Sequence, residues 1–340
     1  MHFGFTCMRG WLIVLVCING AAQAADTHVS GEAFAWLKKM AAASRQLNYS
    51  GTIVYQHGNQ VETSRVVHFV NAAGGEFEKL ETLDGPPREV IRSNEQVICY
   101  LPGRKVVLIE ERNRNARHFP ALLPESLNGI SDSYQIRKEN VDRVAAHECQ
   151  WIALAPRDNL RYGRSFCAEL NSGLPLRART LNEKGELVES FGFTQLTIGG
   201  NFSRERVKSK YAEKSRSQNW RVDRSALSST PPTPADTGWV LTSQLPGFKK
   251  LMEAKRSMAS RSGAVSQIVF SDGLAAVSVF IEPMRAHPAQ SLSHQGAVNI
   301  YTRPQGGYVV TVLGEAPAAT IMQIANTLEL RPTTAAASVQ

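Results

Sequence analysis

Carboxylate and guanidinium groups gather around one turn in the stretch LETLDGPPREVIR, Leu80 to Arg92. Asp84 opens the turn, and Arg88, Glu89 and Arg92 follow its two prolines. Two carboxylates could act as general acid and base, but no nucleophile, base or metal ligand accompanies them in the pattern. Asp-Gly-Pro-Pro is most simply a turn. Arg88 and Arg92 are therefore expected either to contact an anionic ligand at a rim or to lie at a solvated strand end.

Motifs that carry chemistry are otherwise missing from the sequence. There is no Gly-rich phosphate loop, HExxH, CxxC or GxSxG. Asp236-Thr237-Gly238 occurs once, whereas aspartic-protease chemistry needs two carboxylates that share a proton. His68 alternates with apolar neighbours on a strand, and the histidines show no metal-ligand spacing. We predict no catalytic residue, no metal and no cofactor.

The basic residues are more informative than the acidic ones. A group of them surrounds one loop: Arg104, Lys105, Arg112, Arg114 and Arg117. Residues 201–225 add eight Lys or Arg against three acids. Together with Arg88 and Arg92, the loop group is our candidate contact set for an anionic ligand or partner. The alternative is a positive exterior that is merely solvated, because net charge constrains partners and not fold.

The N-terminus has the features of a signal peptide. One arginine precedes the apolar run at 11–20, and Ala22-Gln23-Ala24 is a small-x-small cleavage pattern. The apolar run is well short of the roughly 20 residues that span a bilayer. We expect cleavage after Ala24 and export of a soluble protein. Arg9 is the only charged residue removed, so the formal charge falls by one from +8. An exported protein rarely meets nucleic acid, so anionic lipid, lipopolysaccharide or an acidic protein segment is the expected partner.

Three cysteines remain after that cleavage. A hairpin that turns at Asp158 would place Cys149 and Cys167 directly opposite each other, where Cβ atoms can approach disulfide distance. An oxidising compartment makes this disulfide plausible, and the alternative is two half-buried thiols. Cys99 has no obvious partner and is expected to be a buried apolar residue.

Two domains must position these residues. A helix is predicted at 30–47, and eleven short β-branched or aromatic runs divided by Gly and Pro turns follow up to residue 198. An antiparallel sheet of that size curls or closes, and its concave side would hold a lipid-sized cavity if the helix does not fill it. The basic and Pro-rich stretch 201–238 is predicted to be a linker. A smaller α+β domain follows at 239–332, with helices predicted at 247–258 and 317–330.

The domain at 25–200 also carries a family resemblance. The segments that carry it are Ala155–Asp158, Arg161–Gly163, Gly173–Leu176, Asn182–Gly185 and Phe191–Thr194, together with LDGPPREV and WLKKMAAASRQLNYSGTIVY. In this order and spacing the chain resembles the RseB/MucB family of periplasmic sigma-factor regulators. The resemblance extends from about Phe34 to Leu330 and is denser in the first domain. Cys167-Ala168-Glu169 departs from the family pattern, so the disulfide is particular to this chain.

The resemblance implies a fold and a function. The fold is α+β: a large antiparallel half-open β-barrel wrapped around a helix, LolA/LolB-like, and a smaller C-terminal domain. The function is to bind the periplasmic part of an RseA/MucA-like anti-sigma factor, shield it from site-1 proteolysis and release it when lipopolysaccharide or another lipid binds. A periplasmic carrier of lipid or lipoprotein is the alternative, since the large domain alone would support it. The oligomeric state stays open, with a homo-oligomer among the alternatives.

Overall fold

A twelve-stranded sheet dominates the first domain. The structure is a computed structural model that describes residues 21–112, 117–200, 202–224, 233–257, 264–285 and 289–331. The strands are β1 Tyr49–His57, β2 Gln60–Val70, β3 Glu76–Thr82, β4 Glu89–Arg92, β5 Gln96–Leu101, β6 Val106–Glu111, β7 Tyr134–Val144, β8 His147–Pro156, β9 Gly163–Glu169, β10 Pro175–Leu181, β11 Leu187–Ile198 and β12 Arg221–Asp223. They lie in the order β12-β6-β5-β4-β3-β2-β1-β11-β10-β9-β8-β7. Because β12 and β7 end the sheet without pairing to each other, the barrel is half open, as predicted.

Helix α1, Ala21–Gln46, lies on the concave side of this sheet. Leu37 and Met40 of the helix are fully buried against Tyr49 of β1 and Phe193 of β11. Phe119, Leu123 and Leu127, from the connection between β6 and β7, join the same core. The helix and this connection therefore occupy the concave side, where we expected a lipid-sized cavity only if the helix did not fill it.

Residues 202–224 pack against the convex side of the sheet instead of leaving it; we call them the convex segment. They contain a 3-10 turn at Arg204–Val207, helix α3 at Ala212–Ser217, and β12, which pairs in parallel with β6. Trp220 is buried against Tyr100 and Val107. The first half of the predicted linker is thus part of the first domain's surface.

The described part of the second domain has nine strands, seven of which form one sheet, and one helix that packs on this sheet. Its strands are β13 Thr233–Pro234, β14 Trp239–Leu241, β15 Lys249–Ser257, β16 Ala264–Ser271, β17 Ala276–Pro283, β18 Ser291–Gln295, β19 Val298–Gln305, β20 Tyr308–Gly314 and β21 Leu328–Leu330. The order is β13-β15-β16-β17-β20-β19-β18, and β14 pairs separately with β21. Helix α4, Ala318–Asn326, buries Ile321 and Ile324 against β19 and β20.

A short helix α2, Ile130–Ser133, precedes β7 in the first domain.

One predicted helix is wrong. Residues 247–258 contain helix-favouring Lys, Leu, Met, Glu and Ala, yet Lys249–Ser257 forms β15. This strand pairs with β16 along its whole length and buries Ala254. Pairing with neighbouring strands overrides the local helix preference, because propensity is worth only tenths of a kcal/mol per residue.

The N-terminal predictions are only partly covered by the structure. Residues 1–20, most of the expected signal peptide, lie outside the described residues, and cleavage after Ala24 stays a prediction. The helix predicted at 30–47 is α1, which begins earlier, at Ala21, and ends at Gln46. No helix within the described ranges is both long and apolar enough to cross a bilayer.

Cys149 and Cys167 form a disulfide bond between β8 and β9. The predicted register is wrong by one residue at the turn. Cys149 lies opposite Glu169, and Cys167 lies opposite Trp151, so the hairpin is centred on Asn159 and not on Asp158. Cys99 is a half-buried free thiol in β5, and burial raises its pKa.

Candidate functional site

The candidate basic residues do not form one cluster. Arg92 and Arg112 lie at one end of β4–β6, where Arg92 forms an ion pair with Glu78 and Arg112 with Glu76, the latter at 2.7 Å. Arg112 also donates a hydrogen bond to the carbonyl of Ser93 at 3.0 Å. Both guanidinium groups are therefore largely neutralised by carboxylates of the same domain.

The other basic residues face different surroundings. Arg88, Arg104 and Lys105 are exposed at the opposite end of the same strands. Arg117 extends to the second domain and donates to the carbonyl of Leu274 at 2.5 Å, and its burial lowers its pKa. Arg114 lies outside the described residues. The structure thus leaves three of the predicted contacts open to an anionic ligand.

Glu78 is the shared partner of Arg92 and His118. Its side chain is 6% exposed, and His118 Nε2 lies 3.2 Å from its Oε2 while Arg92 contacts its Oε1. Burial alone would raise the pKa of Glu78, but the adjacent His118 and Arg92 outweigh it and hold the pKa far below its usual value. The carboxylate is ionised at neutral pH and joins β3, β4 and the connection before β7.

His68 lies beside this group and is buried in the sheet. Its Nδ1 is 2.8 Å from the carbonyl of Leu47, and its Nε2 is 3.1 Å from Glu76. Its ring stacks on Tyr49 with the centroids 4.7 Å apart. The imidazole contacts one carboxylate and a carbonyl that follows α1, so it joins the helix to the sheet.

A second group of charges lies between the two domains. Arg161 and Asp272, whose side chains are both fully buried, form an ion pair at 2.7 Å. Asp158 accepts two hydrogen bonds from Arg161, at 2.9 and 3.0 Å, and the carbonyl of Pro246 accepts another. The Tyr134 hydroxyl donates to Asp272 at 3.0 Å. Burial opposes the charge of Arg161, but these acceptors outweigh it and raise its pKa.

Glu189 of β11 marks another contact between the domains. Its carboxylate accepts hydrogen bonds from the Tyr55 hydroxyl at 2.9 Å and from the backbone N–H of Ala297, in the second domain, at 3.1 Å. Nearby, Arg164 forms an ion pair with Glu315 at 2.6 Å. Gly296 has φ +57°, and a Cβ there would overlap both Tyr55 and Glu189. The positive φ and the close approach of the domains both favour glycine at this position.

These groups hold surfaces together through ion pairs and hydrogen bonds. Each buried carboxylate described above is hydrogen-bonded or ion-paired, as a buried charge must be. Within the described residues, no group of three or more His, Cys, Asp or Glu side chains could hold a metal ion. The arrangement holds the two domains together through polar contacts.

The sequence analysis did not identify the ion-pair partners of Arg92, Arg112 and Arg161. Glu78 could have been recognised, because it shares a strand face with Leu80, which packs against the core, and so faces inward. Arg161 and Asp272 are 111 residues apart and give no local signal.

Comparisons with known proteins identify the family. Models of the MucB/RseB N-terminal domain and of the MucB/RseB C-terminal domain match residues 32–211 and 233–329. The chain belongs to the MucB/RseB family. A relative named "Sigma factor AlgU regulatory protein MucB", from Pseudomonas aeruginosa, is 31% identical over 95% of this chain and 98% of its own length. "Sigma-E factor regulatory protein RseB" of Escherichia coli K12 is 24% identical over 91% and 93%.

Solved structures of MucB resemble this MucB/RseB chain over nearly its whole described length. One, titled "Crystal structure of MucB in complex with MucA(peri)", is 28% identical with a TM-score of 0.69 and covers 88% of this chain and 99% of that chain. A second, of Pseudomonas aeruginosa MucA/MucB, is also 28% identical, with a TM-score of 0.70 and the same coverage. The similarity includes both domains.

Proposed function

We propose that this chain regulates an envelope-stress sigma factor by binding the periplasmic part of an RseA/MucA-like anti-sigma factor. The observation that carries the proposal is the match of both domains, in order, to sigma-factor regulatory proteins of nearly equal length. Two MucB structures that resemble the chain hold MucA or MucA(peri) as partner. Binding would shield the anti-sigma factor from site-1 proteolysis, so the chain acts as a negative regulator without catalysing a reaction.

The proposed location is the periplasm, reached through cleavage of the N-terminal segment after Ala24. An apolar run followed by a small-x-small pattern supports export. The Cys149–Cys167 disulfide is consistent with an oxidising compartment.

Release of the partner by lipopolysaccharide or another anionic lipid is the second part of the proposal. The chain carries a formal charge of +8. Arg88, Arg104 and Lys105 are exposed at one end of the large sheet and can approach phosphate groups. An anionic lipid at this end would compete with an acidic segment of the protein partner for the same charges.

Calorimetric titration of the mature protein with the anti-sigma factor's periplasmic domain tests both parts. We expect binding, and weaker binding when lipopolysaccharide is present. A triple variant Arg88→Gln, Arg104→Gln, Lys105→Gln should lose the effect of lipid, whereas exposed Lys184→Gln serves as its control. Binding that lipid does not change would keep the regulator and remove the lipid release. Capture of lipid without binding of the protein partner would favour the carrier.

The core of the first domain argues against the carrier. A carrier needs an open interior, but Leu37, Met40, Phe119 and Leu123 are buried in the core on the concave side. The second domain also has polar contacts to the first that a carrier does not require.

A further inference from the structure

His68 of β2 lies between the end of α1 and β3, and its side chain is 1% exposed. Its Nδ1 is 2.8 Å from the carbonyl oxygen of Leu47, and its Nε2 is 3.1 Å from a carboxylate oxygen of Glu76. The fully buried Tyr49 ring stacks on the imidazole. Water therefore has little access to the ring, and the two oxygens are the partners of its nitrogens.

Both partners of the His68 ring can only accept hydrogen bonds. A carbonyl oxygen has no proton to donate, and neither has an ionised carboxylate. Burial raises the pKa of Glu76, but the hydrogen bond from His68 and the Arg112 guanidinium, at 2.7 Å, outweigh burial and lower it. A neutral imidazole carries one N–H and satisfies one of the two oxygens, whereas an imidazolium carries two and satisfies both.

The charged groups around the ring are themselves paired in a way that leaves one carboxylate oxygen for His68. Two carboxylates of β3 face the ring, those of Glu76 and Glu78. Arg112 contacts the other oxygen of Glu76, while Arg92 of β4 and His118 each contact one oxygen of Glu78. From β1 the ring meets Tyr49, whose pKa burial raises, so its hydroxyl is neutral. From α1 it meets the backbone carbonyl.

The contact with Leu47 places His68 at the C-terminal end of α1. The backbone N–H of Leu47 donates to the Ala43 carbonyl, so Leu47 closes the last turn of the helix. The last carbonyls of a helix have no partner within it and carry partial negative charge, which a cation stabilises. The Tyr49 hydroxyl caps the carbonyl of Ser44 at 3.2 Å, and His68 caps that of Leu47. A protonated ring therefore ties the helix on the concave side to β2.

We propose that His68 is an imidazolium in the folded protein at neutral pH and acts as a pH-sensitive clasp between α1 and the sheet. Both of its N–H groups donate in this form. Loss of one proton at alkaline pH leaves a nitrogen lone pair against the oxygen of Leu47 or of Glu76, and the clasp opens. The proposed function requires neither this charge state nor the clasp.

Nuclear magnetic resonance of the ¹⁵N-labelled mature protein tests the charge state. Long-range ¹H–¹⁵N correlation at pH 7.5 separates ring nitrogens that carry a proton from those that do not, and we expect a proton on both nitrogens of His68. Exposed His294 of β18 is the comparison, since a solvated imidazole is about 90% neutral at this pH. The His68 signals are assigned by their loss in His68→Gln, or by nuclear Overhauser effects to the Tyr49 ring if that variant does not fold.

Urea unfolding at several pH values tests the clasp. A histidine of the unfolded chain loses its proton above about pH 6.5, so the contribution of the clasp is complete below that pH and declines as pH rises. The folding equilibrium constant of the unmodified protein should therefore fall relative to that of His68→Gln, by up to about tenfold for each pH unit. His294→Gln keeps the buried imidazole and should follow the unmodified protein.

A His68 nitrogen without a proton at pH 7.5 would overturn the proposal. A protonated Glu76 carboxyl group, visible in its ¹³C shift, would do the same, because it could donate to a neutral ring. Parallel pH profiles of the unmodified protein and His68→Gln would show that the ring holds no extra proton on folding. These experiments contain no anti-sigma factor, so their failure leaves the regulator proposal intact.

Discussion

Replacing Asp272 by alanine should destabilise the protein strongly, because it removes one half of a fully buried ion pair. Loss of one partner from such a pair costs about 3–5 kcal/mol. In Asp272→Ala, Arg161 keeps its two hydrogen bonds to Asp158, so the cost of leaving its charge without Asp272 lies near the lower end of this range. The Tyr134 hydroxyl and the backbone N–H groups of residues 274 and 275 also lose their acceptor. A buried donor without a partner costs about 1–3 kcal/mol, so we expect about 4 kcal/mol or more.

Urea unfolding measures this loss as a change in the free energy of unfolding. Glu315→Gln is the matched control, because Glu315 also forms an ion pair across the domains, with Arg164, but its side chain is 47% exposed. Exposed pairs contribute about 0–1 kcal/mol. The double variant Arg161→Met, Asp272→Ala completes a thermodynamic cycle and should cost less than the sum of its single changes.

Equal destabilisation by Asp272→Ala and Glu315→Gln would refute this argument. It would mean that water enters between the domains and screens the Arg161–Asp272 pair as at a surface. Additive single changes in the cycle would likewise show that the two side chains do not interact in solution.

Three further predictions concern the large domain and its contacts. The pKa of Glu78 is lowered in the folded state, so the carboxylate's contribution to the free energy of unfolding is present above the unfolded pKa and is lost as pH falls. As pH falls below about 4.5, the urea midpoint of Glu78→Gln should therefore decline less steeply than that of the unmodified protein. Cys149→Ala with Cys167→Ala should cost about 3 kcal/mol in urea unfolding through the 18-residue separation. Gly296→Ala should lower the melting temperature more than Gly306→Ala, which has a similar φ but open space around it.

The strands of the first domain could be predicted because their signals are local. The run QVICYL coincides with β5, Gln96–Leu101, since β-branched and aromatic residues end at a Pro-Gly turn. The Asp-Gly-Pro-Pro turn is present as well: Gly85 has φ +69°, and Asp84 accepts a hydrogen bond from the Thr63 backbone. Local chemistry determined these features, so sequence reasoning could reach them.

Features that depend on distant residues could not be predicted. β15 forms from a helix-favouring segment because β16 supplies its hydrogen bonds. Arg92 and Arg112 have the sequence pattern of a ligand rim, yet the carboxylates of Glu78 and Glu76 on β3 neutralise them. A list of cations along a chain does not show which of them are already paired.

The side chains buried on the concave side also affect where a ligand can bind without rearrangement. Burying a Leu, Met or Phe side chain contributes about 1.5–3 kcal/mol. Displacing Leu37, Met40, Phe119 and Leu123 together would therefore cost about 6–12 kcal/mol, comparable to the whole stability of a typical domain. A lipid that entered the concave side would have to recover this cost from its own contacts, whereas binding at the exposed Arg88, Arg104 and Lys105 requires no such displacement. Binding at the outer surfaces is consequently favoured, which is what a regulator needs and a carrier does not.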